Sequence, residues 1–294
     1  MKVHLVDGTY ELFRHHFGVP QADRKPDDSF AGTRGVVFSV LQLIEEGATH
    51  VGVATDHVIE SWRNDRWPTY KSSAGMLPEL LAQFEPLEVA LRALGVVVWP
   101  MVDLEADDAL ASAARVADAD PRVEQVLIMT PDKDLGQCVK GTRVVQVDRR
   151  QQITTDEDGV RAKYGIGPES IPDWLALVGD SADGFPGLPG WGKKAASSVL
   201  AVFPHIEDIP EMGFRWDGVD VRGRDRLAAT LVEQRENALL FRELATLRDD
   251  AADVLPGGVD ELRWAGPKPE LDAVAREIKA WRLLERVAQV RPVA

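Results

Sequence analysis

At 294 residues and 45% apolar content, the chain can bury a sizeable core, as one large domain or as one domain with a helical extension. Its single cysteine, Cys138, excludes an internal disulfide framework and points to a reducing cytoplasm, and no apolar run reaches the roughly 18 residues of a membrane span. A net charge of −14 excludes indiscriminate coating of nucleic acid but leaves a local site open, because Gly184 to Ile206 holds no acid and carries Lys193 and Lys194.

The N-terminus, MKVHLVDGTY, reads as a buried strand and turn, not as a signal peptide. Lys2–Val6, His50–Ala54, Val96–Trp99, Gln125–Met129 and Arg143–Val147 are short, apolar and β-branched, as buried strands are. Between them Gly35–Glu46, Leu77–Leu94 and Glu105–Ala117 carry helical patterns. Strand followed by helix, repeated, predicts an α/β fold with a mostly parallel sheet flanked by helices. From about Ile171 the strand signals stop, and Asp225–Asp249 and Lys268–Val290 read as helical. The expected division is an α/β domain over 1–170 and a helical subdomain over 171–294, packed on the first.

Acidic residues follow the first four strand segments: Asp7, then Asp56, then Glu105, Asp107 and Asp108, then Asp132 and Asp134. In open parallel sheets the site lies beyond the carboxyl ends of the strands, so these segments deliver carboxylates to one edge. Glu105 and Asp108 stand three apart and share a helix face. Asp180 and Asp183 add a pair in a glycine-flanked turn, Gly179 to Gly184. Crowded carboxylates repel, and hard divalent cations relieve the repulsion; Mg²⁺ or Mn²⁺ suits an all-oxygen shell, and no His/Cys spacing suggests zinc. Two such ions about 4 Å apart clamp the attacking and leaving oxygens of a phosphodiester. The alternative is that the acids are loop caps and solvated turns.

Leu188-Pro189-Gly190-Trp191-Gly192-Lys193-Lys194-Ala195-Ala196 reads as a turn between helices. Gly190 and Gly192 allow close backbone approach to a ligand, and the following helix start, with Lys193 and Lys194, suits a phosphate. This looks like a helix-hairpin-helix that binds duplex backbone; the plain alternative is a connecting turn.

Taken in order, Leu5-Val6-Asp7-Gly8-Thr9, Glu105-Ala106-Asp107-Asp108, Thr130-Pro131-Asp132-Lys133-Asp134-Leu135, Gly179–Gly184, Pro186-Gly187 and the Gly190–Ala196 hairpin resemble the 5′-nuclease family of flap endonucleases and DNA polymerase I 5′-exonuclease domains. The likeness continues weakly through Leu244–Leu247. No polymerase follows, which points to a stand-alone enzyme. The resemblance implies a PIN-like α/β fold with a short helical arch around 62–90 and a hairpin at about 184–200. It further implies 5′-flap endonuclease and 5′-3′ exonuclease activity in primer removal and DNA repair.

By position, the resemblance makes Asp7, Asp56, Glu105, Asp107, Asp108, Asp132, Asp134, Asp180 and Asp183 ligands of two or three Mg²⁺ or Mn²⁺ ions, with Asp7 and Asp132 central to catalysis. Arg63 and Tyr70-Lys71 match the family's W/F-R…Y-K stretch, with Lys71 on the scissile phosphate and Tyr70 on a base. Arg63 and Lys71 also have a bland reading as solvated charges, and Trp62 and Trp67 read as packing. Gly190, Gly192, Lys193 and Lys194 would contact DNA, and Ser181 a K⁺ ion at the hairpin. Arg14 is a substrate contact or a salt-bridge partner.

One position departs from the family. Ala74 stands where an arch arginine is usual, and Ser72–Gln83 holds no basic residue, so the expected arch is poor in charge and Arg63 or Arg66 would take over phosphate contact. Expected partners are DNA with 5′ flaps, nicks or recessed ends, with a polymerase and a ligase as functional neighbours and a monomer as the working state. Two other readings stand behind this one: a PIN-type ribonuclease, and a catalytically silent DNA-binding module.

Overall fold

The computed structural model describes residues 1–18 and 28–290. In chain order the elements begin with β1 (Lys2–Asp7), α1 (Gly8–Gly18), α2 (Ala31–Glu45), β2 (His50–Asp56), α3 (Trp62–Arg66), α4 (Pro78–Leu81) and α5 (Phe84–Leu94). Next come β3 (Val97–Met101), α6 (Ala106–Ala119), β4 (Gln125–Met129), β5 (Val144–Asp148), β6 (Ile153–Thr155) and α7 (Glu157–Tyr164). The remainder is helical: α8 (Ile171–Val178), α9 (Lys193–Leu200), α10 (Arg224–Glu233), α11 (Arg235–Ala245), α12 (Leu271–Glu277) and α13 (Leu283–Val287). No helix among the described residues is long and apolar enough to cross a membrane.

The chain forms two compact units, and their division differs from the one at residue 170 expected from the sequence. One unit gathers Met1–Ser61, Ser73–Thr130 and Arg248–Ala294; the other gathers Trp62–Ser72 and Pro131–Leu247. The C-terminal segment joins the first unit because Trp264 anchors it there. Its backbone N–H donates to the Thr49 carbonyl at 2.8 Å and its indole Nε1 to the Leu94 carbonyl at 2.9 Å.

In the first unit four parallel strands lie in the order β3-β2-β1-β4. β2 is buried along its whole length, which is why its sequence runs apolar without alternation. At the centre Val53 pairs with Val6 on one side and Val98 on the other. The apolar faces of α2 and α5 and the C-terminal helices α12 and α13 close a core around Val40, Leu87, Leu91 and Leu283, all fully buried. Burying such a side chain contributes roughly 1.5–3 kcal/mol. Because β1 neighbours β2 on one side and β4 on the other, chain direction switches between β1 and β4. A crevice opens at the carboxyl ends of the strands at such a point.

Three predicted helices are split, Asp225–Asp249 among them, broken at Gln234 between α10 and α11. Leu77–Leu94 breaks at Ala82–Gln83, with Pro78 opening α4 and Pro86 in the first turn of α5, where its missing N–H costs nothing. Lys268–Val290 breaks at Lys279, whose φ of +58° no helix can continue through.

The second unit carries the antiparallel pair β5–β6 and helices α7 to α11. Its core joins α8 and α11 to Phe185, Trp191 and Trp216. Phe185 stacks on Phe241 at 5.6 Å, and Trp67 meets the same ring edge-on at 5.1 Å.

Candidate metal centres and nucleic-acid interface

The first unit holds Asp7, Asp56, Glu105, Asp107 and Asp108. Asp7 ends β1, and its carboxylate accepts hydrogen bonds from the Tyr10 N–H at 2.8 Å and the Thr130 hydroxyl at 2.9 Å. That second bond bridges β1 to the residue after β4, across the switch point. Asp56 ends β2 and accepts from the Ala106 N–H at 2.8 Å. Glu105 and Asp108 form a reciprocal capping box at the start of α6: the Glu105 side chain accepts from the Asp108 backbone, and Asp108 Oδ2 accepts from the Glu105 N–H at 3.0 Å. Ser61 donates to Glu105 at 2.6 Å. Asp107 is half-buried in the same first turn.

Asp56, Glu105, Asp107 and Asp108 gather around the start of α6, and Asp7 sits at the start of α1; at both, unsatisfied N–H groups and the helix dipole favour negative charge. The cap reading and the ligand reading therefore both describe this group, residue by residue. Asp108 falls on the cap side. It is fully buried, and its other oxygen accepts from the Arg248 N–H at 2.9 Å, so both oxygens serve backbone.

The second unit holds Asp132, Asp134, Asp180 and Asp183, and its electrostatics are different. One carboxylate oxygen from each of Asp134, Asp180 and Asp183 lies within 4.8 Å of the others. Asp134 opens a short 3-10 turn after Asp132, whose carboxylate accepts from the Asp134 N–H at 3.0 Å. Asp180 and Asp183 come from a tight turn closed by two backbone bonds between Asp180 and Phe185. Within it Asp180 accepts from the Ala182 N–H at 3.0 Å, and Ser181 is exposed.

Asp134 Oδ1 is buried and has no hydrogen-bond partner among the described residues, Lys133 Nζ lying 3.8 Å from it. Burial, with the charges of Asp132, Asp183 and Asp180 adding to it, holds the Asp134 carboxyl well above the usual carboxylate range, against the pull of Lys133. Lys133 is the counter-cation, ion-paired with Asp180 and 3.8 Å from Asp134. Burial works against its charge, yet the surrounding carboxylates prevail and hold the ammonium above its ordinary value. An all-oxygen set with an orphaned buried oxygen fits a hard divalent cation.

Lys71 is drawn to this cluster by backbone. Its N–H donates to the Asp183 carbonyl at 3.0 Å, and Asn64 Nδ2 holds its carbonyl at 3.0 Å. Trp67 Nε1 and the Thr69 hydroxyl both donate to the Gly184 carbonyl, at 3.0 and 3.1 Å. Gly184 has φ +82°, and a Cβ there would lie 2.0 Å from the Thr69 carbonyl oxygen. Only glycine lets the two segments meet this closely.

Three expected substrate contacts are placed otherwise. Arg63 is 1% exposed; its guanidinium donates to the carbonyls of Leu244 at 2.8 Å and Thr246 at 3.2 Å, and lies over the Trp62 ring. It caps the end of α11, satisfying carbonyls that the helix leaves open. Tyr70 is buried in the core of its unit instead of facing a base. Arg14 pairs with the buried Glu11, which also accepts from Ser39 of α2 at 3.0 Å. The salt-bridge alternative therefore describes Arg14. Arg66 pairs with Glu243 at 2.8 Å. Ala74 is exposed; α4 and α5 follow it in the chain, and α5 packs its apolar face into the core of the first unit.

Reasoning from the sequence missed Lys133, Ser61 and Thr130 as partners of the acids. Lys133 carried a signal, a lysine flanked by two aspartates, whereas nothing local marks the other two. At the hairpin, Gly190 has φ +83°, Gly192 caps α9 without a side-chain bond, and Lys193 and Lys194 are exposed.

Residues 2–165 match the family described as 5′-3′ exonuclease, N-terminal resolvase-like domain, and residues 166–270 match the 5′-3′ exonuclease, C-terminal SAM fold. DNA polymerase I of Pseudomonas aeruginosa is 33% identical over 286 residues, covering 94% of this chain and 30% of that protein. The chain thus spans about a third of the length of such polymerase relatives. A 5′-3′ exonuclease of Buchnera aphidicola is 27% identical over 250 residues, covering 84% of this chain and 86% of that protein. Among solved structures, the T5 5′-exonuclease with bound divalent metal ions superposes with a TM-score of 0.68 at 17% identity, over 98% of this chain and all of its own. The catalytic core of Rad2 in complex with DNA superposes with a TM-score of 0.65 at 14% identity, over 98% of this chain and 91% of its own. These two likenesses concern the fold.

Proposed function

The chain belongs to the 5′-3′ exonuclease family, and we propose that it is a divalent-metal nuclease hydrolysing DNA phosphodiesters at 5′ flaps, nicks and recessed 5′ ends. The observation that carries this reading is the Asp134, Asp180 and Asp183 cluster, with its orphaned buried oxygen and Lys71 tied to the Asp183 turn. Asp134, Asp180 and Asp183 would hold one Mg²⁺ or Mn²⁺, with Asp132 beside them. Asp7, Asp56, Glu105 and Asp107 form the second candidate ligand set. Bound there, such ions supply a water acidified toward neutral pH and charge neutralisation at the phosphate.

The chain's own residues do the rest. Lys71 offers its ammonium to the scissile phosphate, and its backbone bond to Asp183 fixes where that ammonium starts from. Asp108 and Arg63 act through others: the first holds the opening of α6 in place, the second the end of α11. Gly190, Gly192, Lys193 and Lys194 grip the phosphates of the downstream duplex, and Ser181 is the residue offered to a K⁺ ion there. The role this supports is removal of primers and repair flaps, alongside a polymerase and a ligase.

The test compares a 5′-labelled flap duplex with a matched single strand in Mn²⁺, Mg²⁺ and EDTA, with an Asp132→Ala protein run in parallel. Metal-dependent cutting at the junction that vanishes in the variant supports the reading. Equal cutting of the single strand, preference for RNA, or no metal-dependent cutting refutes it.

A further inference from the structure

The loop between α9 and α10 carries a basic residue that the hairpin motif does not include. A groove of about 860 Å³ is lined on one side by Lys193, Lys194 and Ala195 and on the other by Asp220, Val221 and Arg222. Lys193, Lys194 and Arg222 are exposed, and none of them makes an ion pair or side-chain hydrogen bond among the described residues. Three cations from two segments therefore line one solvent-filled groove, with Asp220 the one acid among the described residues that line it. Unpaired like charges held together cost free energy unless a polyanion enters.

The second wall is fixed to the first. Trp216, fully buried, packs against Trp191 of the hairpin itself, with ring centroids 5.9 Å apart. Its Nε1 donates to the Pro210 carbonyl at 2.7 Å, and its own carbonyl accepts from Arg224 at 3.1 Å. Trp191 Nε1 in turn donates to the Leu227 carbonyl of α10 at 3.3 Å. The loop also lies hard against α10: a Cβ on Gly213 would fall 2.5 Å from the Arg224 backbone. Arg222 is thus carried by a braced loop and is positioned before any ligand arrives.

We infer that Arg222 is a DNA-contacting residue, closing a two-walled groove with Lys193 and Lys194 on the phosphate backbone of duplex DNA. This rests on the nuclease reading and extends it from the hairpin to a segment outside the motif. Single-strand grooves combine basic residues with aromatic rings on which bases stack. Among the described residues no aromatic side chain lines this groove, so its chemistry selects phosphate and not base. A planar guanidinium also suits a phosphate oxygen pair better than an ammonium does.

The full chain is titrated into a fluorescent flap duplex and into a single strand of the same length, in EDTA so that nothing is cut, across a series of salt concentrations. Each neutralised phosphate contributes about 0.9 to the slope of log K against log salt on B-form DNA. Arg222→Ala is expected to lower the duplex slope by about 1 and to weaken binding several-fold at physiological salt. Arg222→Lys should restore the slope, and the single-strand slope and the thermal melt should stay at wild-type values. An unchanged duplex slope in Arg222→Ala, beside normal wild-type binding and flap cutting, overturns the inference alone. An equal loss on the single strand overturns the duplex assignment. A wild-type protein that neither binds nor cuts flap duplex overturns the nuclease reading, and this inference with it.

Discussion

Replacing Asp134 by asparagine should make the metal-free protein more stable and leave it much less to gain from bound metal. The two like-charge pairs that Asp134 makes with Asp180 and Asp183 lie within 4.8 Å. At an effective dielectric of about 20, each costs roughly 3.5 kcal/mol at that distance. Attraction to Lys133 at 3.8 Å returns roughly 4 kcal/mol on the same scale. The balance, to which the neighbouring charge of Asp132 adds further repulsion, favours the neutral amide by about 2 kcal/mol once partial exposure of Asp183 and proton uptake by Asp134 are allowed for. A chain of this size should then melt about 3–6 °C higher in EDTA. Wild-type protein should gain about 2.7 kcal/mol from Mn²⁺ at a hundredfold excess over its dissociation constant, and the variant much less. Thermal melts of both proteins in EDTA and across a Mn²⁺ series decide the matter. A lower melting point for Asp134→Asn in EDTA, or an equal gain from Mn²⁺, would refute the claim that these carboxylates are a strained, cation-seeking set.

Three further outcomes are expected. Arg63→Met should cost about 3 kcal/mol in denaturant unfolding, because it strips charged hydrogen bonds from the buried end of α11; loss of cleavage with unchanged stability would instead return Arg63 to the substrate. Gly184→Ala should displace Tyr70-Lys71 from the Asp183 turn and slow single-turnover flap cleavage by about a hundredfold below the melting temperature; a wild-type rate would show that Lys71 does not depend on this contact. Burial holds the His50 imidazole below its ordinary value, with nearby Asp260 opposing. The folded state therefore binds fewer protons than the unfolded state, so this residue's contribution is intact above about pH 6.5 and is lost as pH falls below it, at up to about 1.4 kcal/mol per pH unit. His50→Gln should flatten the stability curve between about pH 7 and 5, and a parallel curve would rule out His50 as its source.

The sequence by itself determined what local geometry controls. A run of β-branched residues forms a strand, and a parallel sheet presents whatever follows each strand at one edge, so Asp7, Asp56 and the residues around Glu105 were placed by pattern. The α/β fold and the glycines of the Asp180 turn and hairpin were legible for the same reason. What only the tertiary structure decided is where each charge finds its partner. Arg63 meets the Leu244 carbonyl across 181 residues, and Asp108 meets the Arg248 N–H across 140. Neither partner leaves a mark in the neighbouring sequence, so one residue expected at the phosphate became a helix cap and one expected at a metal became a brace. The same holds for the return of Trp264 to the first unit and for the Trp191–Trp216 contact that sets Arg222 beside the hairpin. Residue type and spacing fix which groups are available; long-range hydrogen bonds and packing fix which of them remain free to act.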